Sequence, residues 1–118
     1  DSPNEELAVW GSGNPTREFL YVADAAEGIL LAAEHYNKAD PINLGTGVES
    51  SIKEVVELIF EITGCRRKIV WDKSKPDGQP RKSMDVSRAR EKLGWTARVN
   101  LSDGLARTVA WFRQAGGL

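Results

Sequence analysis

Between Ser51 and Gly64 the apolar residues Ile52, Val55, Val56, Ile59 and Ile62 recur every three or four positions, the spacing that lines one face of an α-helix. Ser51 with Glu54 three residues later forms a capping-box pattern at the start of this run, and Gly64 supplies a left-handed stop at its end. A second helix is predicted from about Asp24 to Tyr36, with Ile29, Leu30, Ala33 and Tyr36 at helical spacing and Asp24 as its cap. Ser87 is placed to cap a short helix that stops at Gly94. Asn100 with Asp103 is placed to cap a last one that carries Leu105, Val109 and Phe112 inward. Four other stretches read as β. "ELAVWG" and "EFLYV" are β-prone runs separated by the loop formers of "GSGNPT", "PINLGTG" predicts a short buried strand ending in a glycine turn, and "KIVW" predicts another. The fold class is therefore mixed α/β. With no internal repeat, low-complexity run or linker, residues 1–118 are expected to form a single domain.

Composition narrows the function classes. The 118 residues suffice for a modest core, and a net charge of −1 with 28% charged residues describes an ordinary surface. Bulk nucleic-acid binding is not expected, so any work done by the cations must be local. One cysteine, Cys65, excludes an internal disulfide, and with the lone His35 it cannot build a metal cluster or a Cys/His dyad. Both are expected to be bystanders, Cys65 half-buried and His35 at the surface. No apolar stretch approaches the roughly 20 residues of a membrane span, and no signal-peptide pattern opens the sequence. A cytoplasmic protein with no membrane partner is expected.

The cations concentrate in one place. In "WDKSKPDGQPRKSMDVSRAREKLGW" Lys73, Lys75, Arg81 and Lys82 surround Pro76, Gly78 and Pro80. Prolines restrict the unfolded loop and glycine permits a sharp bend, so such a turn presents its charges with less ordering cost on binding. A diphosphate is a fitting partner, since guanidinium and ammonium groups meet phosphate oxygens through charge-assisted hydrogen bonds. A dinucleotide fingerprint of strand, Gly-rich turn and helix is not evident. The GxG of "WGSGNPTREF" is followed by Pro15 and a β-prone run, and "LGTGVESS", though it joins a strand to a capped helix, lacks the third glycine. The latter reads as a plain strand-to-helix turn in preference to a phosphate contact.

The order of "VWGSGNPTREFLYVAD", "NLGTGVESSIKEVVELI", "KPDGQPRKSMDVSRAREKLGW" and "LSDGLARTVAWF" resembles the C-terminal part of extended short-chain dehydrogenase/reductases that act on nucleotide sugars. "WGSGNPTREF" and "KPDGQPRK" favour the GDP-L-fucose synthase branch, whose members are NADP-dependent 3,5-epimerase/4-reductases of GDP-4-keto-6-deoxymannose. The resemblance covers nearly the whole chain. It implies a GDP-sugar-binding domain, with NADP(H) bound mainly by an N-terminal Rossmann domain that this sequence does not contain. The family's catalytic Tyr-x-x-x-Lys pair is also outside it, because neither Tyr21 nor Tyr36 is followed by Lys four residues on. The resemblance thus implies no catalytic residue, no cofactor and no independent activity for this chain. One departure from the family pattern is Ala23 before Asp24, where two acidic residues often stand.

By similarity, Trp10 matches a substrate-contacting tryptophan, Arg17 an arginine that meets the diphosphate, and Asp77 a polar contact to the nucleotide sugar. Lys75 and Lys82 are implied neighbours in the same pocket. The residues alone leave other roles open. Trp10 also suits the core at a strand end, Arg17 a surface ion pair with Glu18 or Asp24, and Asp77 a turn in which its side chain bonds its own backbone. Lys75, Arg81 and Lys82 suit a solvated loop equally well. Lys73 and the triplet Arg66, Arg67 and Lys68 are assigned to solvent, and Trp71, Trp95 and Trp111 to packing.

The implied partners are a GDP-sugar, the Rossmann domain and a second copy of the chain. Without the Rossmann domain, apolar surface is expected around Leu20, Val22, Ile29, Leu30 and Ile42, and such patches favour a homo-oligomer. The alternative is a stand-alone binding or oligomerisation module that keeps the fold and has lost the chemistry.

Overall fold

The computed structural model describes residues 4–116. Its strands are β1 (Glu6–Trp10), β2 (Thr16–Arg17), β3 (Ser50–Ser51) and β4 (Lys68–Asp72). Its helices are α1 (Val22–His35), α2 (Ile52–Thr63), α3 (Ser87–Leu93) and α4 (Leu101–Gln114). The mixed α/β class is as expected. The chain divides into two compact units, one holding the residues up to Arg17, Ser50–Lys82 and those from Leu105 on, the other Glu18–Glu49 and Ser83–Gly104.

In the first unit β1 and β4 pair in parallel, with Leu7 opposite Ile69 and Val9 opposite Trp71. β2 and β3 pair antiparallel, with Thr16 opposite Ser51. α2 begins with the full capping box: Ser51 Oγ accepts from Glu54 N at 3.1 Å, and a Glu54 carboxylate oxygen accepts from Ser51 N at 2.9 Å. It ends at Gly64 in the left-handed conformation, and Val55 is its buried anchor. Arg113 of α4 donates to the Thr63 carbonyl at 3.1 Å, satisfying an acceptor left over at the end of α2. Arg67 is a correction. It is not given to solvent but partly buried, with Nη2 2.7 Å from Glu5 of the chain entering β1. Cys65 is a free, half-buried thiol.

The second unit is organised around Ala89, Leu93 and Trp95, against which Leu20, Leu31, Tyr36, Ile42 and Leu44 pack. Trp95 is 2% exposed, and its indole N–H donates to the Asp24 carbonyl at 3.0 Å. α1 passes this cluster at Gly28, where an added Cβ would lie 2.9 Å from Leu44 and 3.1 Å from Trp95. Asp24 is buried and is not a cap. α1 starts after Tyr21 with no side-chain cap, while Asp24 Oδ2 accepts from Arg98 N at 3.1 Å and Val99 N at 3.0 Å.

Two predicted strands are absent among the described residues. "EFLYV" and "PINLGTG" have β-prone side chains but no neighbouring strand to pair with, and pairing, not propensity, makes a strand. Glu18 does the joining instead, its carboxylate accepting from Gly47 N and Met84 N, both at 2.6 Å.

The helix ends hold further corrections. α3 is preceded by Val86, not capped by Ser87, and it is Asp85 that accepts from Ser87 N at 2.9 Å. The two bonds from Ser87 hold the Asp85 carboxyl below its ordinary range. α4 has the expected bond, Asp103 N to Asn100 Oδ1 at 2.8 Å. Leu105 and Val109 are half-buried, but Phe112 is exposed and Trp111 is 65% exposed, so neither aromatic packs inward. Val22, Ile29 and Leu30 stand exposed along α1 as expected, whereas Leu20 and Ile42 are drawn into the Trp95 core. His35 is exposed beside Glu34. Among the described residues no helix is long and apolar enough to cross a membrane.

Candidate functional site

All five sequence-derived candidates lie in the first unit: Trp10 ends β1, Arg17 ends β2, and Lys75, Asp77 and Lys82 belong to the segment after β4, which is hydrogen-bonded to the loop between β1 and β2. β1 ends at Trp10. Gly11 then continues the pairing with β4 by donating to the Asp72 carbonyl at 2.9 Å. The chain turns through Gly11 (φ 91°) and Gly13 (φ 81°), conformations that a side chain resists. Space also demands glycine here. A Cβ on Gly11 would lie 2.5 Å from Asp77 Oδ1, and one on Gly13 would lie 2.8 Å from the Trp71 ring. Trp71 is thus half-buried under this loop, as packing requires.

The second loop leaves β4 through a turn in which Asp72 Oδ1 accepts from Ser74 N and Oγ, and its carbonyl accepts from Lys75 N. It then runs beside β2. Thr16 N donates to the Pro80 carbonyl at 3.0 Å, Lys82 N donates to the Thr16 carbonyl at 3.3 Å, and Thr16 forms a bridge with Arg81. The "KPDGQPRK" segment is therefore bonded to the framework on one edge while its side chains stay exposed.

On this scaffold Trp10 is 72% exposed, so it is not a core residue, and Lys75 Nζ sits 5.1 Å from its ring centroid. A cation at that distance is attracted by the ring quadrupole by about 0.5–1 kcal/mol at an exposed site. Arg17 is half-buried and pairs with neither Glu18 nor Asp24. Its Nη1 donates to the Thr16 carbonyl at 2.7 Å and the Gln79 carbonyl at 2.9 Å. Two neutral acceptors orient the guanidinium without cancelling its charge. Asp77 does not close its own turn: Oδ1 accepts from Ser12 N at 2.6 Å and Oδ2 from Ser12 Oγ at 2.7 Å. These bonds, the backbone one foremost, hold its carboxyl below the usual 3.8. Lys82 contributes an exposed side chain at the end of the segment.

The structure thus joins Trp10 to Lys75, Arg17 to the 77–80 turn and Asp77 to the loop after β1. Sequence reasoning missed Ser12, the pivot of this arrangement. Its signal is the Gly-Ser-Gly spacing, which by itself reads as a loop between two β-prone runs and gives Ser12 no role of its own.

The sequence model of the GDP-mannose 4,6 dehydratase family matches residues 2–108. The chain belongs to this family. Within the GDP-mannose 4,6 dehydratase family it is 45% identical over 108 residues to GDP-L-fucose synthase 1 of Arabidopsis thaliana, spanning 92% of this chain and 33% of that protein. It is 40% identical to GDP-L-fucose synthase of Escherichia coli K12, spanning 91% of this chain and 36% of the relative. The solved GDP-L-fucose synthetase of Naegleria fowleri bound to NADP superposes with a TM-score of 0.88 at 30% identity, covering 95% of this chain and 36% of that one. The chain therefore spans about a third of the length of the relatives it matches. Both the short-chain dehydrogenase/reductase resemblance and its GDP-L-fucose synthase branch are borne out.

The residues present do not fit a dinucleotide diphosphate at either glycine turn. Ser12 N is taken by Asp77, and the GSG loop leads into β2, not a helix. At the start of α2, Ile52 N donates to the Pro15 carbonyl, Lys53 N to the Gly13 carbonyl and Glu54 N to Ser51 Oγ. A helix N-terminus binds phosphate through free N–H groups, and these are committed.

Proposed function

We propose that residues 1–118 act as one substrate-binding domain, the C-terminal part of a GDP-L-fucose-synthase-like epimerase/reductase, which holds the nucleotide diphosphate of a GDP-sugar. The observation that carries this reading is the joining of Trp10 at the end of β1 and Arg17 at the end of β2 to the segment that carries Lys75, in a chain with GDP-L-fucose synthases among its relatives. Arg17 meets the diphosphate as an oriented, uncancelled guanidinium. Lys75 and Lys82 add charge, Trp10 offers an exposed aromatic surface, and Asp77 belongs to the same segment as Lys75. NADP(H) and the proton- and hydride-transferring groups lie outside these residues, so the chain alone binds without turnover. Its part in the reaction is orientation of the sugar, which lowers a barrier by several kcal/mol when the geometry is right. The setting proposed is the cytoplasm.

Val22, Ile29 and Leu30, exposed on one side of α1, support a further contact, with the rest of such an enzyme or with a second copy of this chain. The purified chain is expected to be a homo-oligomer, and a monodisperse monomer in light scattering at high concentration contradicts that.

Calorimetric titration with GDP and with UDP at low salt tests the site, alongside Arg17→Ala. GDP binding that weakens about tenfold or more in the variant is expected, since a lost charge-assisted bond is about 1.5–3 kcal/mol. Binding of neither nucleotide overturns the reading for this chain.

A further inference from the structure

We infer that Asp77 is a positioning residue that acts through Ser12: its carboxylate clamps the loop after β1 to the "KPDG" turn and so fixes Trp10 relative to Lys75. This rests on the function proposed above and departs from a direct contact between Asp77 and the nucleotide sugar. Both carboxylate oxygens are already engaged, Oδ1 by Ser12 N at 2.6 Å and Oδ2 by Ser12 Oγ at 2.7 Å. Ser12 and Asp77 are 65 residues apart, so the pair ties two distant segments. The residues it fixes are adjacent in the chain to each partner. Trp10 lies two residues before Ser12, and Lys75 two residues before Asp77. Their cation–aromatic contact at 5.1 Å spans the same gap as the clamp.

Charge points the same way. A carboxylate facing a diphosphate repels it, so an aspartate among Arg17, Lys75 and Lys82 is tolerable when turned onto the protein, as here. Gly11 shows how closely the loops meet, since any Cβ there would fall 2.5 Å from Asp77 Oδ1. Ser12 also accepts from Asn14 N at 3.2 Å, which carries the order of the clamp toward β2 and Arg17.

The test is GDP titration of the purified chain as wild type, Arg17→Ala, Asp77→Ala, Asp77→Asn, Ser12→Ala and the Ser12→Ala/Asp77→Ala double variant, each with a thermal melt. Asp77→Ala is expected to lose about tenfold in affinity, Ser12→Ala less, because its backbone N–H still donates to Oδ1, and the double variant no more than Asp77→Ala alone. Asp77→Asn keeps an acceptor for Ser12 N and offers an N–H to Ser12 Oγ, so it is expected to stay near wild type. Melting midpoints are expected to stay together. A loss in Asp77→Asn as large as that in Asp77→Ala means direct ligand contact through the carboxylate and overturns the inference. So does unchanged affinity in Asp77→Ala while Arg17→Ala loses binding, or a melting drop that parallels the loss. A wild-type chain that binds no GDP overturns the proposed function and this inference together.

Discussion

Two tryptophans and two aspartates mark the difference between the units. Trp95 is 2% exposed with its indole N–H spent on the Asp24 carbonyl, whereas Trp10 is 72% exposed and meets a lysine. Asp24 and Asp77 perform one operation, each accepting two donors from a segment more than sixty residues away. Asp24 does so in a buried place, where unpaired donors are expensive, and Asp77 in an exposed one, where water can replace it. The same bond therefore stabilises the fold in one unit and orders side chains in the other. Residue type does not decide between those roles; burial does.

The contrast can be tested from its largest consequence down. Trp95→Ala is expected to cost about 3–5 kcal/mol, a large part of the roughly 5–15 kcal/mol that holds a domain folded. Its thermal transition should broaden or vanish. Asp24→Ala leaves Arg98 N and Val99 N without their acceptor and is expected to cost about 1–3 kcal/mol in urea unfolding. Ser51→Ala removes the α2 cap and is expected to cost about 1 kcal/mol. Asp77→Ala is expected to stay within about 0.5 kcal/mol of wild type, and a larger loss would erase the distinction between the two aspartates. The smallest effect concerns pH. The Asp77 carboxyl is held below 3.8, so its clamp is charge-assisted above that value and weakens to a neutral pair as the pH falls through the lower, folded-state value. The Trp10 environment should therefore be flat from neutral pH down to 3.8 and change only below it.

Local signals in the chain found local structure. The Ser51/Glu54 box and the Gly64 stop were readable because both partners lie within one helix, and "KIVW" was readable from its β-branched run. "EFLYV" and "INLG" carry side chains of the same kind, but a strand needs a neighbour, and no short stretch reports whether one exists. Asp24 looked like a cap because carboxylates suit helix starts, yet its donors come from Arg98 and Val99. The site shows the same limit. Trp10, Arg17 and Lys75 were reached through resemblance, while Ser12 was passed over because its partner, Asp77, is distant in the chain. Trp111 on α4 matched the apolar pattern and is nonetheless exposed.

The chain has four tryptophans, and their indole N–H signals report the two units separately. The deciding measurement is a nitrogen–proton correlation spectrum of the labelled chain with increasing GDP at low salt, the indole signals assigned by single Trp→Phe variants. The Trp10 signal is expected to move with saturable dependence on GDP while that of Trp95 stays in place. A Trp10 signal that does not move, or one that moves only together with Trp95, would contradict a nucleotide site at Trp10, Arg17 and Lys75.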